Sequence, residues 1–539
     1  MTDTVRTEKG TALVINLTRF GDLLQSQPLF HDLHAEGYRV HLLCLDVFSS
    51  ALPLLRRVER AWILPGARLM AETERNWRVA AARLLHFART LRNGARPACV
   101  VNLTTTLPAR LLTRMVAGEN TPVRGFSLEA EGFGRNSGVW ASFLNGTTAS
   151  RQSAPFNLVD MFRMVGSPAR AATEVMLASP PPQTHEEAGR LLAAAPRGTA
   201  GFVALQLGAS EERRQWPARF FAAVGDRLWR EQKLFPVLLG TEAEAPLARA
   251  YAAAAGQPFL DAVGKTDIGL LAALLTRVRL LITNDTGTMH LAAGLGVPSL
   301  ALFLASAQPW DTGPYLPGCC CLEPDMECHP CPYGRACSDN LACLERISPQ
   351  SVGDLALAWL GSGRWENAPL AAIGQEARVW LTTRNDEGFA AVRCLTAHKN
   401  ADRTLWLEQQ RFFWRQILDG MESPAGARGA EEGSVFAGKN CGQDFARSVA
   451  PVLDQAVQIL EQMEEQGRLL GRNSRIGQLF LRNCERLQHV LDACPPLRSL
   501  GGFWRELGQG RGDALHEVLR LVRHLAGHLR QWSAVLRRM

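Results

Sequence analysis

The feature of this sequence that most constrains its fold is an alternation of short apolar runs with longer amphipathic segments, which occurs twice along the chain. Apolar runs of this length predict buried strands, and apolar residues spaced three and four apart predict helices. Repetition of strand, helix and strand is typical of a parallel sheet with helices on both faces. We therefore predict an α/β chain with two doubly wound, Rossmann-like domains and a ligand cleft between the carboxyl edges of their sheets.

The predicted elements form two blocks, joined near 167–199 by a connection rich in Ala, Pro and Ser. The first block has strands at 11–17, 39–45, 61–64 and 98–103, with helices near 22–36, 48–57, 72–94 and 107–117. The second block has strands at 201–207, 234–240, 258–260, 279–283 and 298–304, with helices near 217–232, 242–255, 267–276 and 287–295.

A length of 539 residues leaves room for a third region after these two blocks. We predict domains at 1–175 and 176–365, the second with a Cys-rich loop at 319–343, and a mainly helical C-terminal extension at 366–539. Within the extension, VWLTTRNDEGFAAVRCL suggests a short strand or a hairpin, and helical spacing occurs at 403–420, 443–470, 474–492 and 511–537. Residues 422–440 are rich in Gly, Ala and Glu and predict a mobile loop.

Charge and termini exclude some classes of function. Lys plus Arg exceed Asp plus Glu by only 59 − 52 = 7, which argues against nucleic acid as a partner. The start, MTDTVRTEKG, has no apolar signal-peptide core, so we expect a cytoplasmic, reducing location. The predicted last helix carries a row of arginines that would either face solvent or rest on the anionic cytoplasmic face of the inner membrane: Arg520, Arg523, Arg530, Arg537 and Arg538.

The first motif, NLTRFGDLLQSQP, joins a strand end to a helix start. Gly21 allows close approach of a ligand to the backbone, and the free amides of a helix start favour an anion. A carboxylate is poorly suited to bind phosphate, so Asp22 is a candidate general base that takes a proton from an acceptor hydroxyl. The alternative is that Asp22 only caps the helix.

Two further motifs, QLGASEERRQWP and LLITNDTGTMHLAAGLGVP, also follow strands and begin helices. Ser210, Arg213 and Arg214 lie where a diphosphate could meet a hydroxyl and guanidinium groups. In the last motif, the Asp285, Thr286 and Gly287 turn and His290 one turn later point at one spot above the sheet edge, an arrangement that suits a pyrophosphate. The alternatives are solvated arginines in the first case and a capped helix with a structural histidine in the second.

Together, FGDLLQSQP, GAS followed by RRQWP, and NDTGTMHLAAGLGVP resemble glycosyltransferase family 9, the ADP-heptose heptosyltransferases of lipopolysaccharide synthesis. VVNLTTTLPARLLTRMVAGENTPVRGF resembles the end of that family's first domain, and the resemblance runs through about residues 10–355. It implies the GT-B architecture, in which two Rossmann-like domains face a cleft. It also implies an inverting transferase that needs no cofactor for catalysis and moves heptose from ADP-heptose to a lipid-A-core glycan or a protein acceptor.

The resemblance implies a role for each matching residue. Asp22 would be the catalytic base, Asp285 would bind the sugar, and Glu242 would contact the ribose or adenine. The diphosphate contacts would be Ser210, Arg214, Thr286, Gly287 and His290. The family usually has Lys at the position of Arg214, and since a guanidinium and an ammonium bind anions differently, donor geometry or identity is in doubt there.

The Cys-rich loop has a C-x2-C pair followed by two further cysteines, beside Pro330, Pro332 and Gly334. Such spacing can close a tetrahedral thiolate site, which we assign to four residues: Cys328, Cys331, Cys337 and Cys343. Disulfides and unligated thiols are the alternatives. The resemblance adds that many family members have cysteines here and that some protein-modifying members bind iron through four of them, so zinc and iron are both open, in a structural role.

Three functions are compatible with these observations. The leading one is heptose transfer, the second is a GT-B transferase that uses another nucleotide sugar, and the third is a non-catalytic binding or assembly protein that kept the fold. The retention of Asp22 and His290 favours an enzyme. The C-terminal extension would then supply acceptor recognition or contacts within a homo-oligomer.

Overall fold

A computed structural model of the chain describes residues 8–167, 176–332, 334–422, 439–470, 474–511 and 515–538. Most of the loop expected to be mobile at 422–440 therefore lies outside the described residues, as does part of the connection at 167–199. By internal contacts the chain divides into two units. The first unit comprises 1–104, 112–123 and 157–397, and the second comprises 105–111, 124–156 and 398–539.

The first unit begins with four parallel strands in the order β3-β2-β1-β4. These are β1 (Thr11–Ile15), β2 (Arg39–Leu45), β3 (Val58–Leu64) and β4 (Pro97–Asn102). The accompanying helices are α1 (Phe20–Gln25), α2 (Gln27–Ala35), α3 (Gly66–Ala95) and, after it in the chain, α4 (Leu107–Val116). Every residue of β1 is buried, as expected for a parallel strand covered on both faces.

Two strands and two helices follow before the second sheet begins. They are β5 (Val123–Leu128) and β6 (Gly134–Ser137), which pair antiparallel, then α5 (Val139–Thr147) and α6 (Leu158–Gly166). In α6, the side chain of Arg163 is buried and contacts two segments of the first unit that are distant in sequence. Its guanidinium donates to both carboxylate oxygens of Asp32 in α2, at 2.6 and 2.8 Å, and to the hydroxyl of Tyr315 at 3.3 Å. The bidentate pair joins α6 to α2, and the bond to Tyr315 joins α6 to the part of the first unit that contains the second sheet.

The second sheet has eight strands in the order β14-β13-β12-β11-β10-β7-β8-β9. Six are parallel: β7 (Gly201–Gln206), β8 (Leu234–Leu239), β9 (Leu260–Asp261), β10 (Leu280–Asn284), β11 (Ser299–Leu302) and β12 (Cys320–Pro324). The hairpin suggested by the sequence is present as β13 (Ala377–Arg384) and β14 (Ala390–Cys394), and β13 pairs antiparallel with β12.

Nine helices accompany the second sheet within the described ranges. They are α7 (Pro182–Leu192), α8 (Ala218–Gln232), α9 (Ala245–Ala254), α10 (Ile268–Leu275), α11 (Gly287–Gly294), α12 (Pro309–Thr312), α13 (Cys343–Arg346), α14 (Pro349–Ser362) and α15 (Leu370–Ile373). The core on one side of this sheet joins β7, β8 and β10 to α8 and α14 through apolar side chains that include Leu205, Phe221 and Leu355. Two α/β sheets thus stand in one chain, as the alternation of elements predicts.

The second unit contains five helices from the C-terminal extension, which confirms its helical character. They are α16 (Asp402–Glu422), α17 (Gln443–Leu469), α18 (Ser474–Ala493), α19 (Arg498–Arg511) and α20 (Leu515–Arg537). An aromatic cluster joins α5 to α16 and α19, with ring centroids of Phe143 and Trp414 4.6 Å apart and those of Trp414 and Phe503 5.1 Å apart. The domain boundaries predicted at 175 and 365 stay predictions.

Helices α5 and α19 approach each other through a pair of glycines. A Cβ added to Gly502 would lie 2.1 Å from the carbonyl oxygen of Gly146. We expect Gly502→Ala to lower the free energy of unfolding by about 1–3 kcal/mol, because backbone cannot yield to a methyl group as a flexible side chain can. Thermal and denaturant unfolding would measure the change.

Gly508 in the same helix provides the matched control. Apart from its chain neighbours and the backbone of its own helix, no atom of the described residues lies within 4 Å of the position that its Cβ would take. Gly508→Ala should therefore raise the free energy of unfolding by roughly 0.5–1 kcal/mol through helix propensity alone. Equal effects of the two substitutions would contradict the close contact between α5 and α19.

Candidate functional site

Three predicted donor-site residues meet at the carboxyl edge of the second sheet. Arg214, in a short 3-10 helix at Glu212–Arg214 after β7, is buried and forms an ion pair with the carboxylate of Asp285, which follows β10. Its Nη2 also donates to the Asp285 carbonyl and its Nη1 to the Ser210 hydroxyl, both at 3.3 Å. The Nε of Arg214 is buried and has no hydrogen-bond partner among the described residues. The guanidinium therefore keeps an unused donor at this edge.

Asn284, the last residue of β10, holds the Arg214 loop against the strand. Its side-chain oxygen accepts from the backbone N–H of Trp216 at 3.0 Å, and its amide donates to the carbonyl of Leu207 at 2.8 Å. The Trp216 indole N–H donates to the carbonyl of Ile347 at 3.0 Å. These buried bonds fix the backbone on both sides of Ser210 and Arg214, so the cluster is organised without a ligand.

The other donor-site candidates lie at the start of α11. Thr286 is the residue before the helix, and its hydroxyl lies 3.3 Å from that of Thr283. Gly287 and His290 lie against α1 from the first sheet. A Cβ on Gly21 would be 2.9 Å from His290 Cδ2 and 3.4 Å from Gly287 Cα, and a Cβ on Gly287 would be 2.6 Å from Phe20 Cδ1. Glycine at both positions allows the starts of α1 and α11 to touch. The motif that contains Asp22 therefore lies next to the motif that contains His290.

Asp22 lies in the first turn of α1, directly after Gly21. One carboxylate oxygen accepts from the backbone N–H of Arg19 at 3.4 Å, and its carbonyl accepts from Asn16 Nδ2 and Ser26 Oγ, each at 3.1 Å. Helix capping was the alternative to a catalytic role for Asp22, and the contact with Arg19 is such a capping interaction. The hydrogen bond is long, however, and uses only one of the two carboxylate oxygens. The side chain is partly exposed, so the other oxygen is available to a hydroxyl group.

Glu242 is exposed, in a 3-10 helix at Glu242–Glu244 after β8. Glu244, two residues later, turns inward instead. It accepts from the backbone N–H of Thr241 at 2.6 Å and from Gln206 Nε2 at 3.5 Å. A Cβ on Gly208 would lie 1.5 Å from its Oε1, so the carboxylate fills the space over that glycine. Sequence reasoning missed Glu244, although the TEAE segment and the glycine after β7 were visible signals.

Glu244 is connected to the donor-site helix through one residue. Gln206, whose amide donates to Glu244, accepts from the Thr288 hydroxyl in α11 at 3.0 Å through its side-chain oxygen. Because Gln206 and Thr288 are buried, this chain of hydrogen bonds fixes the ends of β7 and β8 relative to α11. It makes Glu244 a candidate for orienting the donor site.

The four predicted metal-ligating cysteines are close enough to influence one another electrostatically. Burial raises the pKa of the Cys328 thiol to about 11, and it raises the pKa values of Cys331 and Cys343, with smaller contributions from neighbouring thiolates. The backbone N–H groups of Asp339 and Leu341 donate to Cys337 Sγ at 3.4 and 3.3 Å. None of the thirteen cysteines, all of which lie in the described ranges, forms a disulfide bond. Within the described ranges, no three His, Cys, Asp or Glu side chains are placed so that they could hold a metal ion.

The three adjacent cysteines at 319–321 have a different environment. Cys320 and Cys321 lie in β12, and all three side chains are fully buried. These three cysteines behave as apolar core residues, and burial raises the pKa values of their thiols.

Three arginines of the last helix form ion pairs with α17. Arg523 lies 3.0 Å from Glu464, Arg530 lies 2.6 Å from Glu461, and Arg537 pairs with Asp454. Three of the five arginines in the row are thus paired inside the second unit, which weakens the interpretation of the row as a membrane contact. None of the helices in the parts of the chain that the structure covers is long and apolar enough to cross a lipid bilayer.

Comparison with known proteins gives a consistent result. Residues 87–339 match the family model of glycosyltransferase family 9 (heptosyltransferase). That range includes the Arg214 and His290 motifs, and Asp22 lies before it. Lipopolysaccharide heptosyltransferase 1 of Pseudomonas aeruginosa is 31% identical over 154 residues, which are 26% of this chain and 42% of that protein. The chain thus aligns with less than half the length of this curated relative.

One solved structure shows the same fold over about two thirds of this chain. A glycosyl transferase family 9 protein from Veillonella parvula matches with a TM-score of 0.53 at 19% identity, over 66% of this chain and 99% of that one. The Escherichia coli ADP-heptose LPS heptosyltransferase II matches with a TM-score of 0.47 at 17% identity, over 66% and 100% of the two chains. The predicted fold class, two Rossmann-like sheets followed by a helical region, is confirmed.

Proposed function

We propose that this chain, whose residues 87–339 are a glycosyltransferase family 9 region, transfers heptose from ADP-heptose to a glycan of the lipid-A core or to a protein, with inversion at the sugar. The observation that carries the proposal is the meeting of the three motifs. Ser210, Arg214 and Asp285 form one cluster, and Gly21 touches Gly287 and His290. A donor diphosphate at that edge would lie beside the turn that bears Asp22.

The reaction that we propose is one displacement. The acceptor oxygen forms a bond to the anomeric carbon while the bond from that carbon to the diphosphate breaks. The acceptor proton passes to the carboxylate of Asp22, and the diphosphate leaves with the electron pair. Arg214, the hydroxyl groups of Ser210 and Thr286, and the amides that begin α11 would stabilise the charge on the leaving group. Asp285, at present paired with Arg214, would exchange that contact for the sugar hydroxyls.

A panel of nucleotide sugars tests this proposal. We expect kcat/KM for release of nucleoside diphosphate to be roughly two orders of magnitude higher with ADP-heptose than with UDP-, GDP- and other ADP-sugars. A polar site discriminates against an analogue that leaves hydrogen-bonding groups of the site unpaired. Preference for another donor would overturn the donor assignment alone. Tight nucleotide binding without turnover of any donor would favour the non-catalytic alternative.

We also propose that the Cys-rich loop binds a structural zinc or iron ion through Cys328, Cys331, Cys337 and Cys343. Support comes from the C-x2-C spacing with two further cysteines and from the electrostatic influence of the thiols on one another. The backbone N–H groups of Asp339 and Leu341 also donate to Cys337 Sγ. The sulfur atoms would need to draw closer than they are here. Elemental analysis of purified protein should find about one zinc or iron per chain, with visible absorbance if it is iron. Four free thiols in metal-free, folded protein would contradict the proposal.

A further inference from the structure

Helix α3 exposes an unusual combination of side chains. Of its 30 residues, four are buried, namely Ala80, Ala88, Leu91 and Ala95. On the solvent side, Met70 is 70% exposed and Trp77 63% exposed, and Val79 and Leu85 are also exposed. The helix is interrupted at Asn76, where the backbone is not helical, so Met70 and Trp77 lie on two helical segments. Scattered apolar residues on a surface are ordinary, but the exposed Trp77, Val79 and Leu85 all lie on the second segment, which indicates a surface that another body covers.

The same helix is strongly basic. Its sequence contains six arginines and two glutamates, a net charge of 6 − 2 = +4. One glutamate, Glu72, already pairs with Arg68 and Arg83. Arg78 lies over the ring of Trp77, 5.5 Å from its centroid. With Val79, Ala82, Arg83 and His86, Arg78 lines a shallow, mainly apolar groove on this face.

We propose that the exposed face of α3 docks on the surface of a lipid bilayer that contains anionic lipids. Helices that lie in the membrane interface combine Trp and other apolar side chains with arginines that reach anionic headgroups. A second copy of this chain is a poorer partner, because a symmetric contact through α3 would bring two sets of arginines together.

The location of α3 gives this contact a use. The helix starts at Gly66, directly after β3, and α1 with Asp22 starts after β1. Because β1, β2 and β3 are parallel, both helices begin at the same edge of the first sheet. The first turns of α3, which include Met70, therefore lie at the sheet edge that also bears the proposed base.

The test is binding of the full chain to vesicles in a sedimentation assay, which requires no enzymatic activity. We expect binding to vesicles of phosphatidylethanolamine and phosphatidylglycerol, weakening with salt, and little binding to phosphatidylcholine. In the variant Met70→Ser/Trp77→Ser, partitioning should fall at least about tenfold. In Arg75→Gln/Arg78→Gln it should fall about thirtyfold, since each arginine near an anionic surface contributes about fivefold.

Leu479→Ser/Leu481→Ser is the matched control. These residues of α18 are 47% and 64% exposed, and α18 lies in the second unit. The control should bind as the unchanged protein does, and all variants should keep their melting temperature because every altered side chain is at the surface.

Failure of the unchanged protein to bind anionic vesicles would overturn the proposal, as would equal binding by the α3 variants. Self-association that Met70→Ser/Trp77→Ser abolishes would assign the face to a second copy instead. A loss of sugar transfer with vesicle binding intact would concern the proposed function and not this inference.

Discussion

Asp22→Asn should lower kcat for sugar transfer by about 10²–10⁴-fold while leaving nucleotide affinity unchanged. The amide has the shape of the carboxylate but cannot take the acceptor proton. Nucleotide affinity should be retained because the donor cluster of Ser210, Arg214 and Asp285 follows strands of the second sheet. Single-turnover transfer measures the first effect, and calorimetric titration with ADP measures the second.

Asp46→Asn is the matched control for this prediction. Asp46 also follows a strand of the first sheet, begins a short 3-10 helix and is partly exposed, and its carboxylate accepts from the backbone N–H of Val47 at 3.1 Å. Substitution there should leave kcat unchanged. If Asp22→Asn also retains full turnover and loses only about 0.5–1 kcal/mol of unfolding free energy, Asp22 is a helix cap and another group accepts the proton.

The strands of both sheets could be predicted from sequence because their signals are local. The apolar run at 39–45 corresponds to β2 (Arg39–Leu45), and the run at 234–240 to β8 (Leu234–Leu239). In a parallel sheet covered by helices, the central strands are apolar along most of their length. The turn residues that end such strands are equally local, so the Asp285, Thr286 and Gly287 turn could be placed before α11.

Elements that depend on distant partners were harder to predict. Helix α19 was missed because Gly501, Gly502 and Gly508 weaken a helical pattern. Position 502 requires a glycine because α5, which is more than 300 residues away in sequence, packs against it. Similarly, nothing local indicates that β13 pairs with β12, where Cys320 faces Leu381.

For the site, sequence could identify residue types at sheet edges but not which side chains turn inward. Ser210, Arg214 and Asp285 do come together. Glu242 and Glu244 are two residues apart, and the contacts with Gly208 and Gln206 distinguish the inward orientation of Glu244, which is partly buried. The catalytic and donor-binding roles of all these residues stay predictions until the variants are measured.

Arg214→Met should abolish measurable donor binding and lower the free energy of unfolding by about 3–5 kcal/mol. The substitution keeps most of the volume but leaves the carboxylate of Asp285 buried without the cation that now pairs with it. Arg214→Lys keeps the charge and should lose less stability. It should nevertheless bind the diphosphate more weakly, because an ammonium cannot reach Ser210 and Asp285 as the guanidinium fork does.

The double variant Arg214→Met/Asp285→Asn separates stability from binding. Removing both charges should restore the free energy of unfolding to within about 1 kcal/mol of the unchanged protein, since no buried charge is left unpaired. Donor affinity should stay lost, because the cation that would meet the diphosphate is gone. Arg219→Gln is the control: its partner Glu345 is exposed, and such a surface pair contributes less than about 1 kcal/mol. If the double variant regains both stability and donor affinity, the buried pair only supports the fold, and the diphosphate must be bound by other groups at this sheet edge.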